Sequence, residues 1–275
     1  MTPPSQEEEA AACPEAALSL AMLASGSKGN AIYVSNGETS VLIDAGLSGS
    51  ELQRRMVSRN LTAERLDAII VSHEHSDHVA GVGVLARRFG IPVYINQRTL
   101  AAAKDRIGPV KSVVHFECGS PFQIKSLTCH PFSISHDAED PAGFTIQHNG
   151  SKIGIATDLG IVTKVVREHL KQCRAVVLEA NHDPEMLIKG PYSWPLKQRI
   201  KGRTGHLSNE ESRDLISEIR HDHLSHVILA HMSEENNTAE KAISRVNEAL
   251  FSGKTRLTMA TQAEGTPLIH VERIG

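Results

Sequence analysis

The amino-acid sequence predicts an α/β protein in which two β-sheets pack on each other and helices cover their outer faces. Short apolar runs typical of buried strands occur in groups, and segments with helical spacing separate these groups. The same arrangement occurs twice, in two similar halves of the chain. A chain of 275 residues, with 40% hydrophobic and 22% charged residues, suits a globular protein of one large domain or two small ones.

In the first half, strands are predicted from apolar runs and helices from their spacing and end signals. The run LSLAMLA indicates a buried strand, and Asn36-Gly37 is a favoured hairpin dipeptide between the next two strands. Gly90 is expected to end the helix that follows the segment SHEHSDH. The predicted strands are 18–24, 31–35, 39–46, 67–71 and 91–95, and the predicted helices are 49–59 and a segment that reaches about residue 89.

The second half is interpreted in the same way. The apolar residues of IVTKVVREHL have helical spacing, and Ser208 with Glu211 forms a capping box that begins a helix extending to about Arg220. The predicted strands lie around 121–125, 127–135, 143–148, 152–157, 175–180 and 226–230, with two more closing the chain, and the helices at 161–170, 208–220 and about 238–251.

The start of the chain differs from the rest. Residues 1–17 are rich in Pro, Glu and Ala, which predicts a disordered tail before a single domain at 18–275. This start is acidic, unlike a signal peptide, and no apolar stretch reaches the ~18 residues of a membrane span. None of the four cysteines forms a C-x-x-C pair, so we expect a cytoplasmic protein with reduced thiols. The cysteines are Cys13, Cys118, Cys129 and Cys173.

A cluster of metal-ligand residues follows the predicted strand at 67–71. Alternate residues of an extended chain point to the same side, so His73 and His75 can share one metal. Asp77 and His78 lie where the chain turns into a helix and can face a second metal. Imidazole and carboxylate suit zinc, manganese or iron, and the sequence does not decide among them. The alternative is a solvated, His-rich polar loop.

The pattern HxHxDH resembles the signature of the metallo-β-lactamase superfamily. The resemblance implies an αββα sandwich of two mixed sheets flanked by helices, and three more ligands at strand ends: His136, Asp158 and His231. His130 is a rival to His136, which is preferred because it ends its strand. The implied ligands are His73, His75 and His136 for the first metal, Asp77, His78 and His231 for the second, and Asp158 for both.

Two adjacent metals imply a hydrolytic mechanism. A water held between them loses a proton near neutral pH and becomes a hydroxide nucleophile, which Asp77 can help to orient. The implied bridging residue is Asp and not Cys, which argues against the β-lactamases proper and fits phosphodiesterases and thioesterases.

A basic segment offers a candidate substrate contact. The net charge of −3 provides no global positive field, so nucleic-acid binding requires a local patch. Four positive charges lie within seven residues, and His206 and Ser208 then precede a helix whose free N–H groups favour anions. The alternative is a solvated basic loop beside a helix whose own cap occupies those N–H groups. The charged residues are Lys197, Arg199, Lys201 and Arg203.

Residues 18–275 resemble the YycJ/WalJ branch of this superfamily. The matching segments are LASGSKGNAIYV, SHEHSDH, SHDAEDPAGF, EANHDPEML, PLKQRIKGRTGHLSN and LAHMSEENN. The resemblance implies a metal-dependent nuclease with 5′-to-3′ exonuclease activity on DNA, a role in DNA repair, and a position near the scissile phosphate for His182 and His206. Two alternatives stay open. An acyl hydrolase, such as a thioesterase or lactonase, would leave the basic segment unexplained, and a non-enzymatic protein would hold structural metals.

Overall fold

The computed structural model describes residues 18–251 and 253–272, and it confirms the predicted sandwich of two mixed sheets flanked by helices. The disordered tail predicted for residues 1–17 lies outside the described residues. Within the described ranges, each sheet has seven strands.

The first sheet combines an antiparallel part with a parallel part. Its strands are β1 (Leu18–Ala24), β2 (Ala31–Ser35), β3 (Ser40–Ile43), β4 (Ala68–Ile70), β5 (Val93–Tyr94), β6 (Val113–Val114) and β14 (Ile269–Val271). The order is β14-β1-β2-β3-β4-β5-β6. Strands β14 to β3 pair antiparallel and β3 to β6 pair parallel, so β3 and β4 end at the same edge.

The second sheet has the same mixed character. Its strands are β7 (Phe122–Ile124), β8 (Leu127–Ser133), β9 (Ala142–His148), β10 (Ser151–Ala156), β11 (Ala175–Glu179), β12 (His226–Ala230) and β13 (Arg256–Met259). The order is β13-β12-β11-β10-β9-β8-β7. Strands β10 to β13 run parallel, and β8 shares their direction because both β8 and β10 pair antiparallel with β9.

Three apolar layers hold the sandwich together. The layer between the sheets includes Leu20, Val34 and Phe144, and burying such side chains contributes roughly 1.5–3 kcal/mol each. The two outer layers lie between each sheet and its helices. The helices are α1 (Gly49–Val57), α2 (Ser76–Val79), α3 (Val82–Phe89), α4 (Gln97–Ile107), α5 (Lys164–Leu170), α6 (Pro184–Lys189), α7 (Trp194–Ile200), α8 (Asn209–Ile219) and α9 (Ala239–Asn247), with a short 3-10 turn at Ala63–Arg65.

Most predicted elements are present, and the differences have local causes. The helix predicted to reach residue 89 is broken into α2 and α3, because the N–H of Gly81 donates to the carbonyl of Ala45 outside the helix. Gly90 does end α3, in the left-handed conformation with φ of 69°. The capping box of Ser208 and Glu211 is confirmed at the start of α8. Helices α4, α6 and α7 are absent from the prediction.

None of the described helices is both long enough and apolar enough to cross a lipid bilayer.

Candidate metal centre

One edge of the sandwich gathers polar side chains from both sheets. Six strands, which run in one direction within their sheets, carry these residues at or just beyond their carboxyl ends. Asp44 follows β3, and the segment 72–78 follows β4. The residues from the second sheet are His136 after β8, Asp158 after β10, Glu179 at the end of β11 and His231 after β12.

All seven residues predicted as ligands meet at this edge. Their donor atoms form overlapping groups in which every donor lies within 4.8 Å of the others. Three of the groups are His73, His75 and His136; Asp77, His78 and His231; and His73, His78 and Asp158. A fourth group joins Asp158 and His231 with Glu179 and His206. The rival His130 lies inside β8, where its ring packs on that of His169 with centroids 4.5 Å apart, and it belongs to none of these groups.

Three of the histidines are held by their Nδ1 atoms. His78 Nδ1 lies 2.8 Å from Asp44 and His231 Nδ1 lies 2.9 Å from Glu179; a carboxylate only accepts, so both Nδ1 atoms donate. Ser72 Oγ donates to Asp44 and accepts from His73 Nδ1 at 2.9 Å. Each ring therefore directs its Nε2 atom to the centre, as metal-ligating histidines with such partners do.

The residues present fit a bound metal. Nε2 of His73, Nε2 of His231 and Oδ2 of Asp158 are buried without a hydrogen-bond partner in the described chain. Buried polar atoms are nearly always paired, and three such atoms in one cluster of imidazoles and carboxylates match the ligand set of a divalent transition metal.

The electrostatics of the cluster favour a cation. Burial disfavours the charged form of His78, but the carboxylates of Asp158 and Asp44 outweigh it and raise the pKa of His78 well above its usual range. For His231, burial is outweighed by Asp158, Asp77 and Glu179, which raise the pKa to about 10. The buried carboxylates therefore favour positive charge nearby. A divalent cation can supply that charge in place of the protons on His78 and His231.

The backbone is strained at two of the predicted ligands and at Asp44, which holds a third. Asp44, Asp158 and His231 adopt φ values of 59°, 58° and 52°, a left-handed region that disfavours residues with a Cβ. Such conformations cluster at functional sites, where surrounding contacts hold them in place. At Gly46 the backbone lies so close to that of Asp77 that only glycine fits. A Cβ at this position would lie 1.5 Å from the Asp77 carbonyl oxygen.

Glu179 connects the cluster to His206. Its Oε1 accepts from His206 Nδ1 at 2.8 Å and from His231 Nδ1 at 2.9 Å, while Oε2 accepts from the backbone N–H groups of Leu159 and Leu207. Burial opposes ionisation, but His206 and His231 outweigh it and lower the pKa of Glu179 to about 2. Four donors occupy the carboxylate, so Glu179 orients the two histidines and has no lone pair left for a metal.

The two histidines predicted near the scissile phosphate differ in access. The His206 side chain is 19% exposed and lines a cavity of about 190 Å³ beside the cluster. His182 is 3% exposed, and it belongs to none of the metal-competent groups found in the described chain. Burial lowers the pKa of His182 to about 4, so the ring is neutral at physiological pH.

The predicted substrate residues also separate into two kinds. Lys201 and Arg203 are exposed, and Arg199 is exposed but pairs with Asp137 at 2.6 Å. Lys197 is buried, and its ammonium group donates to the carbonyls of Ile188 and Gly190 at the end of α6. Ser208 is engaged by Glu211 in the capping box. The basic segment begins within α7, so it is not wholly a loop.

Three supporting residues were missing from the prediction. Asn30 donates to Asp77 Oδ2 at 3.1 Å and contacts His78 Nε2 at the same distance. Asp44 holds His78, and Glu179 holds His231. The last two each end an apolar strand with a carboxylate, the same signal that singled out Asp158.

Comparison with known proteins gives a consistent result. Residues 39–232 match the family model described as beta-lactamase superfamily domain. The chain is 37% identical over 235 residues to the exodeoxyribonuclease YycJ of Bacillus anthracis, covering 85% of this chain and 89% of that one. It is also 37% identical over 232 residues to the exodeoxyribonuclease WalJ of Streptococcus pneumoniae, covering 82% and 86%.

Solved structures share the fold at low sequence identity. The metallo-beta-lactamase fold protein YhfI from Bacillus subtilis superposes with a TM-score of 0.70 at 16% identity, covering 90% of this chain and 99% of that one. The short form of human tRNase Z superposes with a TM-score of 0.65 at 16% identity, covering 92% and 99%. The chain therefore belongs to the metallo-β-lactamase superfamily of hydrolases, in the branch that contains the YycJ and WalJ proteins.

Proposed function

We propose that this protein is a dinuclear metal-dependent exodeoxyribonuclease that degrades DNA from the 5′ end. The observation that carries the proposal is the convergence of buried ligand atoms of His73, His231 and Asp158, none of which makes a hydrogen bond within the described chain although Asp158 lies 3.3 Å from both His78 and His231. The relatives described as exodeoxyribonucleases match this chain over more than four fifths of its length, and the 5′-to-3′ direction is carried over from that branch.

The proposed ligands divide between two sites. His73, His75 and His136 would hold the first ion, Asp77, His78 and His231 would hold the second, and Asp158 would serve both. Divalent ions held by these residues would supply a hydrolytic nucleophile from bound water and would neutralise charge on a phosphate. We leave open whether they are zinc, manganese or iron, because all three accept imidazole and carboxylate.

The chain's own groups position the substrate and move protons. His206 presents Nε2 to the cavity while Glu179 fixes its Nδ1, which suits a group that donates a proton to the leaving oxygen. Asp77 is held by Asn30, which keeps one carboxylate oxygen aligned at the centre. Arg199 lines the same cavity, and the exposed residues Lys201 and Arg203 follow it in the chain, so we assign the attraction of the phosphate backbone to these three residues.

Two of the predicted substrate residues take a different part in this proposal. Lys197 and Ser208 are engaged in the ends of helices, so we assign them to the support of the site. The role of His182 beside the phosphate stays a prediction; its backbone bridges to Ser208 and its ring is buried.

We further propose a role in DNA repair and a cytoplasmic location. The repair role is carried over from the YycJ/WalJ branch. The free thiols of Cys118, Cys129 and Cys173 are consistent with a reducing compartment.

The deciding experiment is digestion of linear DNA labelled at either end, with Mn²⁺ added, by the wild-type protein and by Asp77→Ala. Stepwise loss from the 5′ end by the wild type, absent with Asp77→Ala, supports nuclease activity and its direction. A fully metal-loaded protein that leaves both DNA ends intact would refute the proposal, and hydrolysis of thioesters or lactones would then identify an acyl hydrolase.

A further inference from the structure

The cavity beside His206 has two kinds of wall. One wall is apolar and consists of Tyr192, Leu196 and Ile200, from α7 and the turn that precedes it. The other wall is polar and includes Asn181 and Ser233, from the loops after β11 and β12. The cavity has a volume of about 190 Å³, which is the scale of one nucleoside and not of a base pair.

The walls of this cavity are anchored on both sides. Lys197 fixes α7 to the end of α6 through the carbonyls of Ile188 and Gly190, at 2.7 and 2.8 Å. Opposite, Asn181 Nδ2 donates to the His231 carbonyl at 2.8 Å, which ties the polar wall to the metal cluster. A ligand in the cavity is therefore held at a defined position relative to His206 and His231.

Tyr192 is the aromatic residue with its ring available to a ligand here. The sequence has three tyrosines. Tyr33 is buried with its hydroxyl bonded to Ser40, and Tyr94 stacks on Phe122 at 5.2 Å. Among the described residues, the ring of Tyr192 stacks on no other aromatic ring, and its hydroxyl has no hydrogen-bond partner.

We propose that this cavity is a nucleoside subsite, which takes the base and sugar of one unpaired nucleotide while its phosphate lies at His206. The base stacks on Tyr192 and packs against Leu196 and Ile200, and its polar edge faces Asn181. An aromatic ring can stack on any base, so this subsite selects an unpaired strand over a duplex without preferring a particular sequence. The inference rests on the proposed phosphodiesterase function and adds that the terminal nucleotide enters unpaired.

The test compares two probes on the metal-loaded full chain by titration calorimetry. Deoxyadenosine 5′-monophosphate carries a base, and 2-deoxyribose 5-phosphate lacks one. We expect the nucleotide to bind roughly tenfold more tightly than the sugar phosphate, and we expect Tyr192→Ala to remove that difference. Tyr192→Phe retains the ring and should preserve it, as should Trp194→Ala, a matched control whose side chain is 60% exposed and does not line the cavity.

Kinetics on a 5′-labelled single strand provide a second measurement. Tyr192→Ala should raise KM roughly tenfold with kcat changed little, because the lost contact is made to the bound nucleotide and not to the reacting phosphate. Equal binding of the two probes by the wild type would overturn the subsite, even if the protein digests DNA and even if Tyr192→Ala fails to fold. Conversely, base-dependent binding without digestion of any DNA would refute the nuclease and keep the nucleoside site.

Discussion

The Oε1 atom of Glu179 lies 2.9 Å from Nδ1 of His231, at the point where β11 and β12 end side by side. The same oxygen lies 2.8 Å from Nδ1 of His206. One buried carboxylate thus fixes a predicted metal ligand and a predicted proton donor together. The separation between His231 and His206 therefore depends on this one carboxylate.

Glu179→Gln should weaken metal binding and activity by roughly 10- to 100-fold each, because an amide has only one acceptor oxygen and cannot accept both from the two histidines and from the backbone N–H groups of Leu159 and Leu207. Metal content by mass spectrometry and digestion of labelled DNA measure the two effects. The matched control is Glu185→Gln, which removes an exposed carboxylate paired with Lys189. Unchanged metal affinity and activity in Glu179→Gln would show that Glu179 does not position the site.

His206 and His231 share Glu179 but should respond differently to removal. His231→Ala should lose bound metal and turnover together, since Nε2 of His231 is an unpaired donor within the cluster. His206→Ala should keep its metal and lose roughly 100-fold or more in turnover, the scale of general acid–base catalysis.

Metal content measured beside DNA digestion separates the two variants. Loss of metal from His206→Ala would instead make His206 a ligand, which its membership of a group with Asp158 and His231 allows sterically. The proton-transfer role assigned to it would then be wrong.

The sequence predicted the sandwich because buried strands leave apolar runs, and most of the strand positions agree with the structure. Four of the seven predicted ligands follow one apolar strand within six residues, and the family resemblance implied the other three, His136, Asp158 and His231. The break between α2 and α3 could not be predicted from the local sequence, because it depends on the hydrogen bond from Gly81 to the carbonyl of Ala45, a residue distant in the chain. Helix α7 was not predicted, because a proline followed by closely spaced charges was interpreted as a basic loop. Pro195 lies in the first turn of α7, where proline is favoured.

The residues that hold the predicted ligands could not be identified from the local sequence either. Asp44 and Glu179 end apolar strands, but only their proximity to His78 and His231 reveals what they do. Lys197 has the sequence context of a surface charge, and its burial follows from the carbonyl ends of α6, which no local pattern encodes. Side-chain roles that depend on two distant segments are therefore accessible only from the fold.

The described cysteines should react slowly with iodoacetamide in the native protein. Burial raises the pKa of Cys118 to about 11 and the pKa values of Cys129 and Cys173 to about 12. A rise from 9.0 to about 11 lowers the reactive thiolate fraction of Cys118 about a hundredfold at pH 8, and raising the pH should restore it at Cys118 first. Peptide mapping before and after denaturation in urea measures each site. Labelling of native Cys129 at the denatured rate would contradict its burial.

The exposed and the buried basic residues of the segment 197–203 should affect DNA binding differently. Replacing exposed Lys201 and Arg203 by Gln should weaken binding to single-stranded DNA and reduce the slope of log affinity against log salt by about 1.4, at about 0.7 per lost phosphate contact. Fluorescence anisotropy with the metal-loaded protein at several salt concentrations measures the slope.

Lys197→Met is the matched control, because it removes a charge of the same segment that does not face solvent. It should leave the salt slope unchanged and lower the free energy of unfolding by about 1–3 kcal/mol, since the carbonyls of Ile188 and Gly190 lose their buried donor. Thermal unfolding measures that loss. If Lys197→Met reduced the slope while the Lys201 and Arg203 replacements did not, the phosphate contacts would lie on the α6 side of α7 and the proposed path of the DNA strand would be wrong.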